Sequence, residues 1–498
     1  MGHNQMPLEA PLAATKAPPT RHRKTGWTSF AAWAPPLLVG IAIAAAPAPH
    51  GLALNAWRYF ALFAAVMVGI ITEPIPAAAL GLVGVVVAAA CGLVRASTAQ
   101  ATLWALSGFG NATVWLIFAA FVFSLGYAKT GLGKRIALLL IRAMGKRTLG
   151  LGYAIALADL ALAPFMPSNT ARSGGTIFPI IRNIPELYGS LPNDESARKI
   201  GAYLMYTALA ATCVTSSMFL TAIAPNVLAV DLALRTIHVS ISWTDWFRGF
   251  APVGFLLLAV VPILLYKIYP PEIREAPEAP RWAAEELHQM GPVSKKEMTL
   301  LVLVLLALVL WIGGAKYVDP TMAAMLVVIL MLVLRVIGWN DILGYTQAWN
   351  VFIWFATLIT LAGGLAETKF VDWAAQSLAP MISHRGAIMA AVLLVGAFFL
   401  LHYLFASVTA HVSSLFQVFL AVAITIPGLS PLSWALLLSY ALGIMGILTP
   451  YATGPSPIYY GCGYVKGKDF WILGLVLGAL FFGVYILIAL PWLAFLKI

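Results

Sequence analysis

Charge is what this sequence has least of. Only 10% of its 498 residues are Asp, Glu, Lys or Arg, where soluble domains carry about a quarter. With hydrophobic residues at 61% and a mean hydropathy of +0.89, the chain cannot cover a soluble surface and is expected to fold in lipid. Cysteine is scarce as well. Cys91, Cys213 and Cys462 stand apart, with no Cys-x-x-Cys or Cys/His cluster, which excludes a disulfide framework or a zinc site and leaves them as packing residues. A secretory signal is missing too: residues 1–27 are polar and contain proline, and apolar residues begin near Phe30. This tail is expected to stay on, disordered and cytoplasmic. No polar stretch is long enough for a soluble catalytic domain, and no coupled His/Asp/Ser or His-Glu-x-x-His set occurs. Neither an enzyme nor a resident metal or cofactor is expected.

What the chain does have is a succession of apolar runs. A span takes about 20 helical residues, and candidates begin near Ala31, Asn55, Pro76, Thr113, Ile200, Phe250, Met298, Met322, Trp349, Trp434 and Phe470. The first covers residues 28–49. Two further apolar regions, 148–184 and 386–426, each carry a polar motif at mid-length; each is either two more spans or a re-entrant hairpin. The net charge of +11 reads as cytoplasmic loops rather than a nucleic-acid surface. Arg21, Arg23 and Lys24 precede the first span, and Lys129, Lys134, Arg135, Arg142, Lys146 and Arg147 flank an amphipathic stretch after the fourth. Both clusters fall on one side, which puts the N-terminus in the cytoplasm, and hairpins keep the neighbouring basic residues there too.

The most charged interior stretch, within residues 269–297, divides the chain and reads as a cytoplasmic linker. On either side the sequence repeats. Asn111 and Trp115 match Asn350 and Trp354, and Ser168, Thr170 and Ala171 match Ser407, Thr409 and Ala410, all at one offset (407 − 168 = 239). Polar residues and tryptophans holding register this far are a repeat signal. Five spans and one hairpin per half, 50–268 and 298–498, start the second half on the opposite face. The fold expected is therefore an all-α polytopic membrane protein with inverted repeats, about 11 transmembrane helices and two hairpins, and a binding site near the midplane.

The chemistry concentrates where helices must break. Pro164-Phe-Met-Pro167 ends one helix, and Ser168-Asn169-Thr170 can cap the next, leaving free N–H groups and about half a positive charge for an anion. Arg172 follows. The second tip, Ser407-Val408-Thr409-Ala410-His411, repeats the pattern, with His411 in the place of Arg172 and Val408 in that of Asn169. An ionisable residue at membrane depth points to function, although Arg172 also has Asp159 within reach as a structural partner. Asp159 matches Phe398 across the repeat. Downstream breaks follow in each half, Thr221-Ala-Ile-Ala-Pro225-Asn226 and Thr449-Pro450-Tyr-Ala-Thr453-Gly454-Pro455-Ser456-Pro457, freeing further backbone groups.

The Ser-Asn-Thr-Ala-Arg-Ser-Gly-Gly tip, the stretch from His402 to His411 and the Thr-Pro-Tyr-x-Thr-Gly-Pro segment together resemble the divalent anion/sodium symporter family. Within it they are most similar to the exchanger branch of bacterial citrate/succinate and tartrate/succinate antiporters and plastid 2-oxoglutarate/malate translocators. The resemblance runs from about Ala53 onward. It implies a homodimer in the bacterial inner membrane, each protomer with a scaffold and an elevator-type transport domain. It also implies substrate held between the tips, giving the candidates Ser168, Asn169, Thr170, Arg172, Ser407, Thr409 and His411, with Thr221, Asn226, Thr453, Gly454 and Pro455 from the breaks. Family symporters carry Ser-Asn-Thr at both tips, and Val408 departs from that, which tells against a second sodium site. The function expected is sodium-independent exchange of small dicarboxylates, with Arg172 and a protonated His411 as built-in cations that make an empty carrier costly to move. Since histidine titrates near pH 6.5, affinity is then expected to fall as pH rises. A sodium- or proton-coupled symporter and an anion channel are the alternatives.

Overall fold

The computed structural model describes residues 27–314, 317–382 and 386–497. The expected disordered tail, with Arg21, Arg23 and Lys24, lies outside the described residues. Within them the chain is helical and forms no strand, only one bridge between Arg147 and Glu275. Helices begin at or within about one turn of the expected positions, among them Trp27–Ala45, Leu54–Thr72, Ala77–Ala90, Ala112–Thr130 and Thr346–Glu367. The exception is Trp243–Ile268, which starts well before Phe250 because Ser242 and Asp245 form a capping box ahead of the apolar run. Leu54–Thr72, Thr98–Thr130, Trp243–Ile268, Thr346–Glu367, Ala387–Leu404 and Gly467–Leu496 are each long and apolar enough to cross a membrane.

Two of the expected spans are helices in two pieces. Gly201–Met218 stops, and within the Thr221-to-Asn226 break the chain resumes as Ala224–Ile237; likewise Pro431–Ile444 gives way to the Thr449-to-Pro457 break, at whose end a short helix, Ser456–Gly461, begins. Every residue of Gly201–Met218 is buried, as befits a helix apolar or hydroxyl-bearing all round. It crosses Pro431–Ile444 so tightly that a Cβ on Gly443 would lie 2.4 Å from the Ser217 nitrogen. Ser217 seals that crossing, donating to the Tyr440 carbonyl at 2.7 Å and accepting from the Ile444 amide at 3.1 Å.

The two regions with mid-length polar motifs are both pairs of packed helical arms around a non-helical tip. The first pair is Thr148–Leu162 with a π-helical turn, Thr170–Ile177, that continues into Phe178–Ile181; the second is Ala387–Leu401 with Val408–Ala423. Each is preceded by an amphipathic helix, Leu132–Met144 or Phe370–Leu378, that leaves the helix before it at a left-handed residue, Gly131 (φ 79°) or Lys369 (φ 67°).

The charged segment 269–297 is bound to the first half along its length. Its helix Glu278–Gln289 packs on Leu132–Met144, where Lys134 reaches Glu286 at 2.8 Å. Backbone bonds join the Thr148 amide to the Arg274 carbonyl and the Ala276 amide to that of Lys146. Arg135 donates from Nε to Glu297 at 2.6 Å and from Nη1 to the Gly291 carbonyl, with both ionic side chains almost wholly buried. Of the cysteines, all free, Cys213 is buried as expected of a packing residue, whereas Cys91 is exposed at a helix end. Glu297→Ala is predicted to cost about 3 kcal/mol of stability, because it strands a buried guanidinium. Asp372→Ala, which removes an exposed pair with Lys369, should cost under about 1 kcal/mol. Thermal unfolding in detergent compares the two.

Candidate binding site between two broken helices

The tips begin their helices in the same way. Ser168 accepts from the Ala171 amide at 3.2 Å and Ser407 from the Ala410 amide at 3.4 Å, while the Arg172 and His411 amides bond back to the Ser168 and Ser407 carbonyls. The downstream breaks match one another at an offset of their own (452 − 222 = 230). The Ala222 amide bonds to the Phe219 carbonyl as Ala452 does to Thr449, and Asn226 to Ile223 as Ser456 does to Thr453. The side chains follow suit: Asn226 donates to the Ser216 carbonyl at 2.8 Å, and Ser456 to that of Gly446 at 3.3 Å.

These four segments enclose a cavity of about 260 Å³. Ser168, Asn169 and Thr170 of the first tip, Ser407, Val408 and Thr409 of the second, Ile223 to Pro225 of the first break and Thr453 with Gly454 of the second line one side; Phe121, Val351, Trp354 and Phe355 line the other. The helices beginning at Thr170, Val408 and Ala224 therefore open onto one space; the Ala224 amide is taken by the Pro167 carbonyl at 2.9 Å and Pro225 has none, so the two tips are where free N-terminal amides remain. No charged side chain is in its wall among the described residues. Asn169 ties the first tip to the second break through a 2.8 Å bond to Thr453 Oγ1. Gly454 lies so near Thr170 that a Cβ there would be 1.7 Å from its hydroxyl oxygen.

The other expected site residues stand behind this wall. Arg172 is fully buried and donates to Asp159 (3.1 Å), to the carbonyls of Met166 (2.9 Å) and Ala222 (2.8 Å), and to Thr212, Thr215 and Ser216 at 3.2–3.3 Å. All its donor groups are engaged within the protein, so it is not the free cation that its place after the tip suggested. Thr215 also donates to Asp159, and Ser216 links the network to Asn169 at 3.4 Å. The pair is thus one residue removed from the cavity. His411 is buried among Phe398, Phe405 and His402, and neither of its ring nitrogens has a partner among the described residues. Direct contact between His411 and substrate is corrected by this packing. Thr221 donates to the Pro164 carbonyl at 2.6 Å and accepts from Trp243, Asn226 holds the first break, and Pro455 starts the helix beyond the second; these serve the frame.

Trp354 and Phe355 did not enter the sequence reading as site residues. Trp354 was visible there only as the repeat partner of Trp115, whose Nε1 donates to the Phe109 carbonyl at 3.0 Å. For the Arg172 network the expected outcome is strong coupling. Arg172→Gln alone leaves Asp159 buried without its counter-charge, a loss of about 3–5 kcal/mol, and Arg172→Gln with Asp159→Asn should recover a substantial part. Melting temperatures of the singles and the double, closed as a cycle, measure it.

The profile of the sodium:sulfate symporter transmembrane region matches residues 27–498. The L-tartrate/succinate antiporters of Shigella sonnei (strain Ss046) and Escherichia coli (strain K12) are each 47% identical to the chain over 481 residues, covering 94% of it and 98% of their own length. A solved structure, the Alcanivorax borkumensis YdaH transporter, is similar with a TM-score of 0.56 and 15% identity, over 90% of this chain and 99% of that one, a likeness of fold. The chain is a multi-pass membrane protein and a transporter, not an enzyme. With the match extending over the full set of described residues, it belongs to the sodium:sulfate symporter transmembrane family.

Proposed function

We propose that this chain exchanges small dicarboxylates, tartrate and succinate first among them, across the cytoplasmic membrane without sodium. The observation that carries this reading is a single cavity in which both hydroxyl-bearing tips meet three helix N-termini. A dianion there is met by roughly half a positive charge per helix end and by the hydroxyls of Ser168, Thr170, Ser407, Thr409 and Thr453. The relatives named L-tartrate/succinate antiporters supply the substrate class and the mode.

Sodium independence follows from what fills the first break. Unwound carbonyls at a broken helix are the groups with which such transporters hold sodium. Here those of Met166 and Ala222 already accept from Arg172, a cation that never dissociates, and its charge is balanced by Asp159. At the second tip Val408 has nothing to ligate with. Obligate exchange then rests on the helix ends rather than on Arg172 and His411: an empty cavity carries uncompensated positive ends, and at the two tips free amides, through a low-dielectric barrier.

Motion divides at the cavity. Tips and breaks, tied by Asn169 to Thr453, form the moving side, while Phe121, Trp354 and Phe355 belong to the scaffold, with the turns at Gly131 and Lys369 as the hinges of an elevator. The inverted repeats, eleven spans with two re-entrant hairpins, cytoplasmic N-terminus and linker and the homodimer of the family resemblance complete this architecture.

In proteoliposomes, labelled succinate should enter only when dicarboxylate is inside, at a rate indifferent to sodium; sodium-dependent uptake into empty vesicles would refute exchange. Gly454→Ala, by driving a methyl into Thr170, should lower the kcat/KM of exchange at least about tenfold, or about 1.4 kcal/mol. Adding Thr170→Ala, which removes the clashing hydroxyl, should return part of it.

A further inference from the structure

The offset of 230 that relates the breaks makes Ala452 the partner of Ala222 (452 − 222 = 230), and the Ala222 carbonyl is the one that accepts from Arg172 at 2.8 Å. The Ala452 carbonyl is also bonded by a basic side chain of its own half, but not by the residue that the tip offset pairs with Arg172. Its partner is His402, whose Nε2 lies 2.8 Å away. A carbonyl oxygen can only accept, so Nε2 carries the proton and donates. His402 is fully buried, and Nδ1 has no partner among the described residues, so this bond is the single polar contact that orients the ring. The ring of His411, at the position matching Arg172, has no hydrogen-bond partner among the described residues.

We propose that His402 is the second half's equivalent of Arg172 and a positioning residue for the substrate site. Its bond fixes the peptide immediately before Thr453 and Gly454, both in the cavity wall, just as Arg172 fixes the peptide before Ile223 and Ala224 of the same wall. Each basic side chain satisfies a carbonyl that the broken helix would otherwise leave bare in a dry interior, where an unpaired acceptor is costly. The two halves reach that end from opposite sides of their tips: Arg172 follows Ser168, whereas His402 precedes Ser407. The breaks correspond in three further pairs of bonds, the amides of Ala222 with Ala452 and Asn226 with Ser456, and the side chains of Asn226 with Ser456. The coincidence at Ala222 and Ala452 is therefore part of a matched frame. Without the His402 bond, Thr453 loses its backing, and with it the acceptor for Asn169 that joins the break to the first tip.

The inference rests on the exchange reading, and the experiment separates the two. The full-length protein in proteoliposomes is assayed for succinate/succinate counterflow, with KM and maximal rate determined separately. His402→Ala should raise KM at least about tenfold, a distortion of the bound state. His402→Gln, whose amide nitrogen can donate to the same carbonyl, should stay within about threefold of the unmodified protein. His402→Leu, of similar bulk but with no donor, should behave as alanine does. If the alanine variant does not fold, the glutamine and leucine variants carry the comparison. Equal KM in the unmodified protein and His402→Leu, or KM raised as much by glutamine as by leucine, overturns the positioning role. Absence of counterflow in the unmodified protein overturns instead the exchange reading on which it stands.

Discussion

Everything in the transport machinery depends on satisfying backbone groups at places where helices are deliberately broken inside a dry medium. Each interruption releases carbonyls on one side and amides on the other, and neither lipid nor an apolar core can pair with them. The chain divides these groups between two uses. Carbonyls turn inward and are taken by protein donors, chief among them the Arg172 guanidinium, which spans the first tip at Met166 and the first break at Ala222. The hydroxyls of both tips line the cavity, where the proposed anionic substrate would complete them. The cavity wall exposes no charged side chain among the described residues, because the permanent cation is held in the frame.

That division explains why the buried pair of Arg172 and Asp159 is tolerable. Desolvating two ions is expensive unless geometry is good and the remaining donors find partners. Here the guanidinium meets Asp159, two carbonyls and a cluster of hydroxyls on Gly201–Met218. The hydroxyl residues Thr212, Thr215 and Ser216, which look out of place in a helix buried over its whole length, are the shell that makes the pair affordable. Ser216 also transmits its position outward, through Asn169, to the wall of the cavity.

Much of this was legible from sequence alone. Apolar runs placed the helices because a bilayer leaves little choice of length or composition, and prolines with Ser/Asn/Thr clusters located both tips and both breaks because those residue types terminate and restart helices. Side-chain direction was not legible. A basic residue at a fixed distance from each tip serine suggested equal roles for Arg172 and His411, yet one binds two carbonyls and a carboxylate while the other sits among Phe398, Phe405 and His402. Linear register also could not reveal His402, whose match at the tip offset is Ala163 (402 − 163 = 239). Nor could it separate Thr453 and Gly454, which reach the cavity, from Pro455 and Asn226, which do not. The docking of segment 269–297 through Arg135 and Glu297 was hidden for the same reason: a charge-rich stretch reads as solvated until a partner is seen.

A repeat conserves the problem rather than the residue that solves it. Both halves break a helix at the same place and leave the same carbonyl in need of a donor, so the backbone geometry recurs at Ala222 and Ala452. Any donor with the right reach satisfies it, and the two halves recruit theirs from different sides of the tip. Substitution at one such position is then free to drift, as His411 has from Arg172, where another side chain of the same half, His402, bonds the matching carbonyl. The asymmetry behind the cavity, Arg172 in one half and His402 in the other, has that reason. At the wall the two tips share the serine and the threonine, Ser168 with Ser407 and Thr170 with Thr409, and differ between them, where Asn169 reaches Thr453 and Val408 has no polar atom to reach with.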